Sequence, residues 1–217
     1  MTDYTVSELL EPYDTHWGRD GLPYEEVYRQ ADLSAAQRLH QFVKETPDCF
    51  KRELPVGHVT GSALVTSPDF SKVLLTLHAK LGKWLQLGGH ADGDANIPRV
   101  ALREAEEESG LAGFKGLSRL DGSPILFDVD IHDIPARKSE PQHLHYDMRF
   151  LLIHDPAAPI IQTAESKDLK WLDLDEAFQV TDEWSMRRQF LKLKIVADAM
   201  GTAGSPFAIK PFRVTKS

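Results

Sequence analysis

The spacing of apolar positions changes character near residue 57. Before it, Val6 to Tyr13, Tyr24 to Gln30 and Ser34 to Lys44 place apolar residues at helical intervals, with Ser34 as an N-cap and Pro47 as a stop. From His58 the chain turns to short apolar runs. Val59 to Thr66, a Ser67-Pro68-Asp69 turn and Val73 to His78 predict a hairpin, and Trp84 to Leu87 a third strand. Helical spacing returns from Ile97 to Ser109, with Pro98 tolerated in the first turn and Ala101, Leu102 and Ala105 forming an apolar stripe. Gly110 stands where a helix C-terminal cap is expected. Ile125 to Ile134 and His143 to His154 predict two longer strands, joined by a polar Pro135 to Pro141 connection suited to overhang a cleft. Leu169 to Leu172 is a last short strand, and Glu183 to Met200 a final amphipathic helix. The segment from Gly201 is expected to pack as an extended arm or to fray.

The order β-β-β-α-β-β-β-α suits an α/β fold in which a mixed sheet lies between helices. The texture divides the chain into a helical N-terminal appendage (1–55), an α/β domain (56–200) and a C-terminal tail (201–217). At 217 residues, 41% hydrophobic and 27% charged, there is material for one sizeable core. The single cysteine, Cys49, allows no internal disulfide and reads as a small buried hydrophobe.

A formal net charge of -8 disfavours binding along a nucleic-acid polymer, which is mostly phosphate neutralisation by Lys and Arg. A small phosphorylated substrate remains compatible, because bound divalent cations and a few local basic residues reverse the sign inside a cleft. Lys80, Lys83, Arg119, Arg137, Lys138 and Arg149 are available for that part. Met1-Thr2-Asp3-Tyr4-Thr5-Val6 has neither a basic start nor an apolar core, and no apolar run approaches the ~20 residues of a membrane span, so the expected location is the cytoplasm, with no membrane partner.

The candidate chemistry lies in Gly88-Gly89-His90 and, thirteen residues after His90, in Arg103-Glu104-Ala105-Glu106-Glu107-Glu108-Ser109-Gly110-Leu111. On a helix, Glu104, Glu107 and Glu108 stand at i, i+3 and i+4 and stack three carboxylates on one face. An isolated acidic run is ordinarily a solvated helix face. Here the acids sit near a helix C-terminus, where negative charge opposes the macrodipole, and they repel one another. Bound cations would relieve both effects, and oxygen-rich sites hold Mg²⁺ or Mn²⁺. The double glycine follows a strand-like run, where a backbone carbonyl is free to turn toward a metal.

At these residues the chain resembles the Nudix hydrolase family, whose box reads G-x5-E-x7-R-E-U-x-E-E-x-G-U, with U aliphatic. Gly89, Arg103, Glu104, Glu107, Glu108, Gly110 and Leu111 fall on the family positions in register, and Ala105 occupies the first U. The first box Glu falls on Ala95, with Asp94 one place earlier. The resemblance implies an α/β/α sandwich and a Mg²⁺- or Mn²⁺-dependent pyrophosphohydrolase. It also implies metal held by Glu104, Glu107, Glu108 and the Gly88 carbonyl, with Arg103 orienting the glutamates. In the same family the general base is either the residue matched by Glu104 or a glutamate of a later loop, where Glu165 lies.

His143, His145 and Asp147 alternate so as to share one strand face, and His90 and His132 lie in neighbouring segments. We take His90, His145 and Asp147 as candidate substrate contacts, or the histidines as part of an additional metal site. Two alternatives stay open: a non-catalytic nucleotide-binding module, and an enzyme like isopentenyl-diphosphate isomerase. The isomerases share the fold and a histidine-rich metal site but need a cysteine two residues before the position of His90, where this chain has Gly88. Trp84, Phe127 and Tyr146 are candidates to stack on a base, each also suited to a core. The N-terminal helices are suited to a homodimer contact or a lid.

Overall fold

The computed structural model describes residues 2–18, 26–136, 141–163 and 166–216. Among them are six helices: α1 (Val6–Leu10), α2 (Tyr13–Trp17), α3 (Glu26–Glu45), α4 (Ile97–Ser109), α5 (Leu174–Val180) and α6 (Trp184–Met200). The strands are β1 (Gly57–Thr66), β2 (Lys72–His78), β3 (Trp84–Leu85), β4 (Leu87–His90), β5 (Lys115–Ser118), β6 (Leu126–Ile134), β7 (His143–Ile153), β8 (Ser166–Asp173) and β9 (Ala208–Pro211). All nine join one sheet, with path β3-β2-β1-β7-β5-β9 and with β4, β6 and β8 paired to β1, β7 and β2. The central β1–β7 pair is parallel, from Gly57↔Leu144 to Thr66↔Ile153, and the other pairings are antiparallel, so the sheet is mixed as expected.

Strand alternation sorts the layers. A Cβ at Gly61 would lie 2.9 Å from Val100 and 3.1 Å from the Ala101 nitrogen, so α4 lies against the Gly61 face of β1, where only a missing side chain permits the approach. On the other face, Thr60 and Ser62 of β1 meet Asp147 of β7, and Arg188 and Lys192 of α6 reach Asp128 of β6. Helices on both faces of a mixed sheet make the α/β/α sandwich.

The described residues before 56 contribute to this core. Trp17 is fully buried, donates its indole N–H to the Leu126 carbonyl at 3.0 Å, and packs against Phe127 and Phe207. Tyr13, Ala35 and Leu39 lie in the same buried cluster as Val59, Phe127 and Phe190.

Several elements differ from the sequence expectation. The expected Val6–Tyr13 helix is broken at Pro12, which has no N–H to continue α1 and stands at the N-cap of α2. Ser34 is not an N-cap: it lies inside α3, which runs unbroken from Glu26 to Glu45 because no Gly or Pro interrupts Ala31-Asp32-Leu33. The expected start of that region at Tyr24 lies outside the described residues. The expected Trp84–Leu87 strand is divided: Trp84–Leu85 is β3, and β4 runs from Leu87 through Gly88 and Gly89, opposite Ser62 and Gly61. The segment after Gly201 is an extended arm: β9 pairs β5, Thr215 bridges Asp3, and the Asn96 amide donates to the Val214 carbonyl at 2.6 Å.

Candidate active site

Helix α4 begins and ends as its sequence dictates. Asn96 accepts from the Arg99 N–H at 3.2 Å as N-cap, and Gly110 closes the helix at φ 69°, a left-handed conformation that favours glycine. Ala101 and Ala105 are fully buried against the sheet. The helix is thereby fixed in rotation, and Glu104 and Glu108 turn toward β4. The Gly88 N–H donates to Glu108 Oε2 at 3.1 Å, and a Cβ built on Gly89 would stand 2.5 Å from Glu104 Oε2. Gly89, bare of a side chain on this face, leaves a hollow that the Glu104 carboxylate fills.

Arg103 holds this arrangement from the side. Its Nη2 donates to Glu104 Oε1 at 2.7 Å and to the His90 carbonyl at 2.9 Å, joining α4 to the end of β4. Glu107 is exposed on the same helix. Ala95, on the box position that lacks its glutamate, is also exposed. Asp94 beside it accepts from Arg99 Nε and Nη2, both at 2.7 Å, an ion pair at the mouth of the helix. Carboxylates gathered around a glycine hollow are hard oxygen donors, and that donor set fits Mg²⁺ or Mn²⁺. Glu165 lies outside the described residues, as do Arg137 and Lys138.

The histidines converge on the opposite face. His58 pairs with His145 across β1–β7, His132 with His145 across β6–β7, and His90 with Thr60 across β1–β4. His58 has ring centroids of His90, His143 and His145 at 5.1, 5.0 and 4.7 Å. Burial drives the His58 ring down to about 4 and the His145 ring to about 2, neighbouring imidazoles adding to each, so both are neutral at neutral pH. Sequence reasoning missed His58, because only the parallel register places it beside His145.

Asp147 shares that face but is fully engaged. It accepts from Thr60 Oγ1 at 2.9 Å, Ser62 Oγ at 2.7 Å, Gln86 Nε2 at 3.2 Å and Arg149 Nε at 2.6 Å. Arg149, counted above among the cations for phosphate, is buried and spent on Asp128, Asp130 and Asp147. Lys83 pairs with Glu183. Of the aromatic candidates, Phe127 is core, Tyr146 stacks on Phe42, and Trp84 carries Lys170 over its ring at 4.7 Å. A cleft between α3 and the start of α6 is lined by Arg38, Asp130, His132, Trp184 and Arg188. Neither the α4 glutamates Glu104, Glu107 and Glu108 nor Gly88 and Gly89 line it, and Arg188 there is already paired with Asp128.

The NUDIX domain profile matches residues 57–193. No curated protein matches the chain. Among solved structures, a NUDIX-family hydrolase from Clostridium perfringens is 27% identical, with 64% of this chain and 97% of that one covered and a TM-score of 0.48. An Ap4A hydrolase from C. elegans is 15% identical, covering 64% and 97%, with a TM-score of 0.49. An E. coli dihydroneopterin triphosphate pyrophosphohydrolase is 19% identical, covering 64% and 95%, also at 0.49. No helix among the described residues is long and apolar enough to cross a membrane.

Proposed function

The chain belongs to the NUDIX family of hydrolases, and on that premise we propose that it is a Mg²⁺- or Mn²⁺-dependent pyrophosphohydrolase. Its substrate is a small phosphorylated molecule of the nucleoside diphosphate-X type. Water attacks one phosphorus, the anhydride P–O bond breaks, and two phosphorylated products leave. The observation that carries this reading is the convergence of Glu104 and Glu108 on the Gly88-Gly89 backbone, Glu104 over the bare Gly89 and Glu108 on the Gly88 N–H.

Glu104, Glu107, Glu108 and the Gly88 carbonyl would hold the cation, which when bound neutralises the diphosphate oxygens and positions the attacking water. Arg103 is a positioning residue: its bond to Glu104 Oε1 fixes the carboxylate while Oε2 remains turned to Gly89. Glu104 takes the proton of the attacking water, with Glu165 as the second candidate base. Asp147, with four donors on its oxygens, holds β1 against β7 rather than touching substrate. Isomerase chemistry lacks its thiol, since Gly88 stands at the cysteine position. Burial pushes the Cys49 thiol up to about 11, where it is not ionised at neutral pH.

A hydrolysis screen over nucleoside triphosphates, dinucleoside polyphosphates and nucleotide sugars, with Mg²⁺ and products identified by mass, tests the reading. Glu107→Gln and Glu108→Gln should each keep the wild-type melting temperature and lower kcat roughly 10²–10³-fold, the scale of losing one charge-stabilising group. Normal turnover in both variants refutes the ligand set. Tight binding of a diphosphate without turnover would instead identify a non-catalytic module.

A further inference from the structure

The pyrophosphohydrolase reading leaves the imidazole cluster unused, and its geometry is that of a second site. The nitrogens of His58, His143 and His145 lie within 4.8 Å of one another, close enough for one small cation to touch all three. We propose that these three histidines bind a first-row transition-metal cation of the Zn²⁺ class, at a site separate from the glutamates of α4.

Three observations support it independently of the hydrolase reading. First, His58 is only 2% exposed, and neither of its ring nitrogens has a hydrogen-bond partner. A buried polar group with no hydrogen bond keeps its full desolvation penalty, and a metal would satisfy the bare lone pair. Second, His143 Nδ1 lies 2.8 Å from the Pro141 carbonyl. A carbonyl only accepts, so Nδ1 carries the proton and the Nε2 lone pair is directed elsewhere. That is the outer contact that orients a ligating histidine. Third, the donor set is nitrogen alone. His132 is the ring that pairs with a carboxylate, Asp130, and the nearest acid along β7, Asp147, has its oxygens filled. Three imidazoles select Zn²⁺, Ni²⁺, Co²⁺ or Cu²⁺ over Mg²⁺, and three protein ligands leave a fourth position for water.

The two sites share no ligand. Gly89 faces Glu104, whereas a Cβ at the preceding Gly88 would meet the Ser62 side chain, on the face of Asp147 and the histidines. The sheet therefore stands between the imidazoles and the glutamates. His90 joins them mechanically. Its ring lies 5.1 Å from that of His58 and 5.2 Å from that of His145, and its carbonyl holds Arg103. A cation clipping β1 to β7 would thus stiffen the strand that forms the floor of the hydrolytic site.

The test uses the full chain, stripped with a chelator, loaded with Zn²⁺ in a large excess of Mg²⁺ and passed through gel filtration. One zinc per chain should be retained, with a raised melting temperature. Retention should survive Glu107→Gln with Glu108→Gln. Affinity should fall roughly 100-fold or more in His145→Asn and in His143→Gln, since loss of a direct ligand exceeds the 10–100-fold typical of outer-shell changes. If those variants do not fold, X-ray absorption of zinc on the wild-type chain decides: imidazole scattering supports the site, and an oxygen-only shell overturns it. No retained zinc, or retention unchanged in folded histidine variants, also overturns it. Loss of zinc in the glutamate variants would assign the metal to the other face and overturn it too.

Discussion

Replacing Gly89 by alanine separates position from stability at the proposed catalytic carboxylate. The new Cβ would stand 2.5 Å from Glu104 Oε2 and 2.6 Å from its Cδ, against an ordinary contact of at least 3.4 Å, so the carboxylate must retreat by about 0.9 Å. What it meets is the end of a flexible side chain, so the backbone need not move. The strand even gains from losing a glycine, by about 0.5–1 kcal/mol. The expected change in stability is under about 1 kcal/mol, or roughly 2–4 °C in a chain of this size. A misplacement near 1 Å in a catalytic constellation costs on the order of 100-fold, or about 2.7 kcal/mol of barrier. Steady-state hydrolysis at saturating Mg²⁺, paired with a thermal melt, reads both quantities. Gly88→Ala is the contrasting control: its Cβ would press on Ser62 at 2.2 Å from Oγ and 2.7 Å from the backbone Cα, so folding itself should suffer. A folded Gly89→Ala protein with wild-type kcat/KM would refute the role given to Glu104.

Lys192→Met removes a fully buried ammonium paired with Asp32 and Asp128, and leaving two buried carboxylates short of a partner should cost about 3–5 kcal/mol, or roughly 6–20 °C in melting temperature. An unchanged melt would show that the network is dispensable. Burial raises the Asp128 and Asp130 carboxyls, but Arg188 and Lys192 around the first and Arg149 around the second outweigh it, and both end below the usual range. Their contribution is therefore complete above the unfolded carboxylate value near 4 and is lost as pH falls through the folded values. Asp32, raised by burial, works in the opposite sense. Chemical unfolding between pH 6 and 3 should show stability falling with acid, less steeply in Asp128→Asn if that variant folds; a flat profile contradicts the assignment. Ala95→Glu should leave the fold intact, since the position is exposed, and collapse on that change would count against the register of the box.

The α4 region was readable because every signal there is local. Pro98, the Ala101–Ala105 stripe and Gly110 specify start, face and stop within thirteen positions, and the helix spans the predicted Ile97–Ser109. The strands with strong runs were legible for the same reason. Short β5 and β9 were missed because neither carries a run of its own: the four residues at Lys115 become a strand by pairing with β7 and, ninety or more positions away, with the four at Ala208. α5 carried a readable signal, the capping box of Asp173 and Glu176. The acidic ridge could be located in sequence; the histidine face could be located only in part. The alternation of His143, His145 and Asp147 showed a shared face, but not that Asp147 is consumed by Thr60 and Ser62, nor that His58 completes the cluster. Both facts depend on the register of a parallel pair, which hydrophobic period alone does not specify.

That register also explains why charge is buried where apolar residues would be cheaper. Asp32, Asp128, Asp130 and Asp147 face Arg149, Arg188 and Lys192, so one network runs from α3 through α6 to β6 and β7. Tyr13 of α2 joins it, donating to Asp32 at 2.5 Å and accepting from Lys192 at 2.8 Å. At its other end Asp147 holds Ser62, and Ser62 lies against Gly88, whose N–H holds Glu108. Buried ion pairs are poor sources of net stability, because desolvation consumes much of the Coulombic gain. They do impose direction: each carboxylate here accepts from particular donors, and a slip of β7 by one residue would turn Asp147 and Arg149 to the α4 face with no partners. The hypothesis that follows is that the network sets the register of β1 against β7 and so the position of the glycine hollow. Lys192→Met assayed in a background stabilised elsewhere would test it: activity lost while the fold is restored supports a registering role, and full activity assigns the network to stability alone.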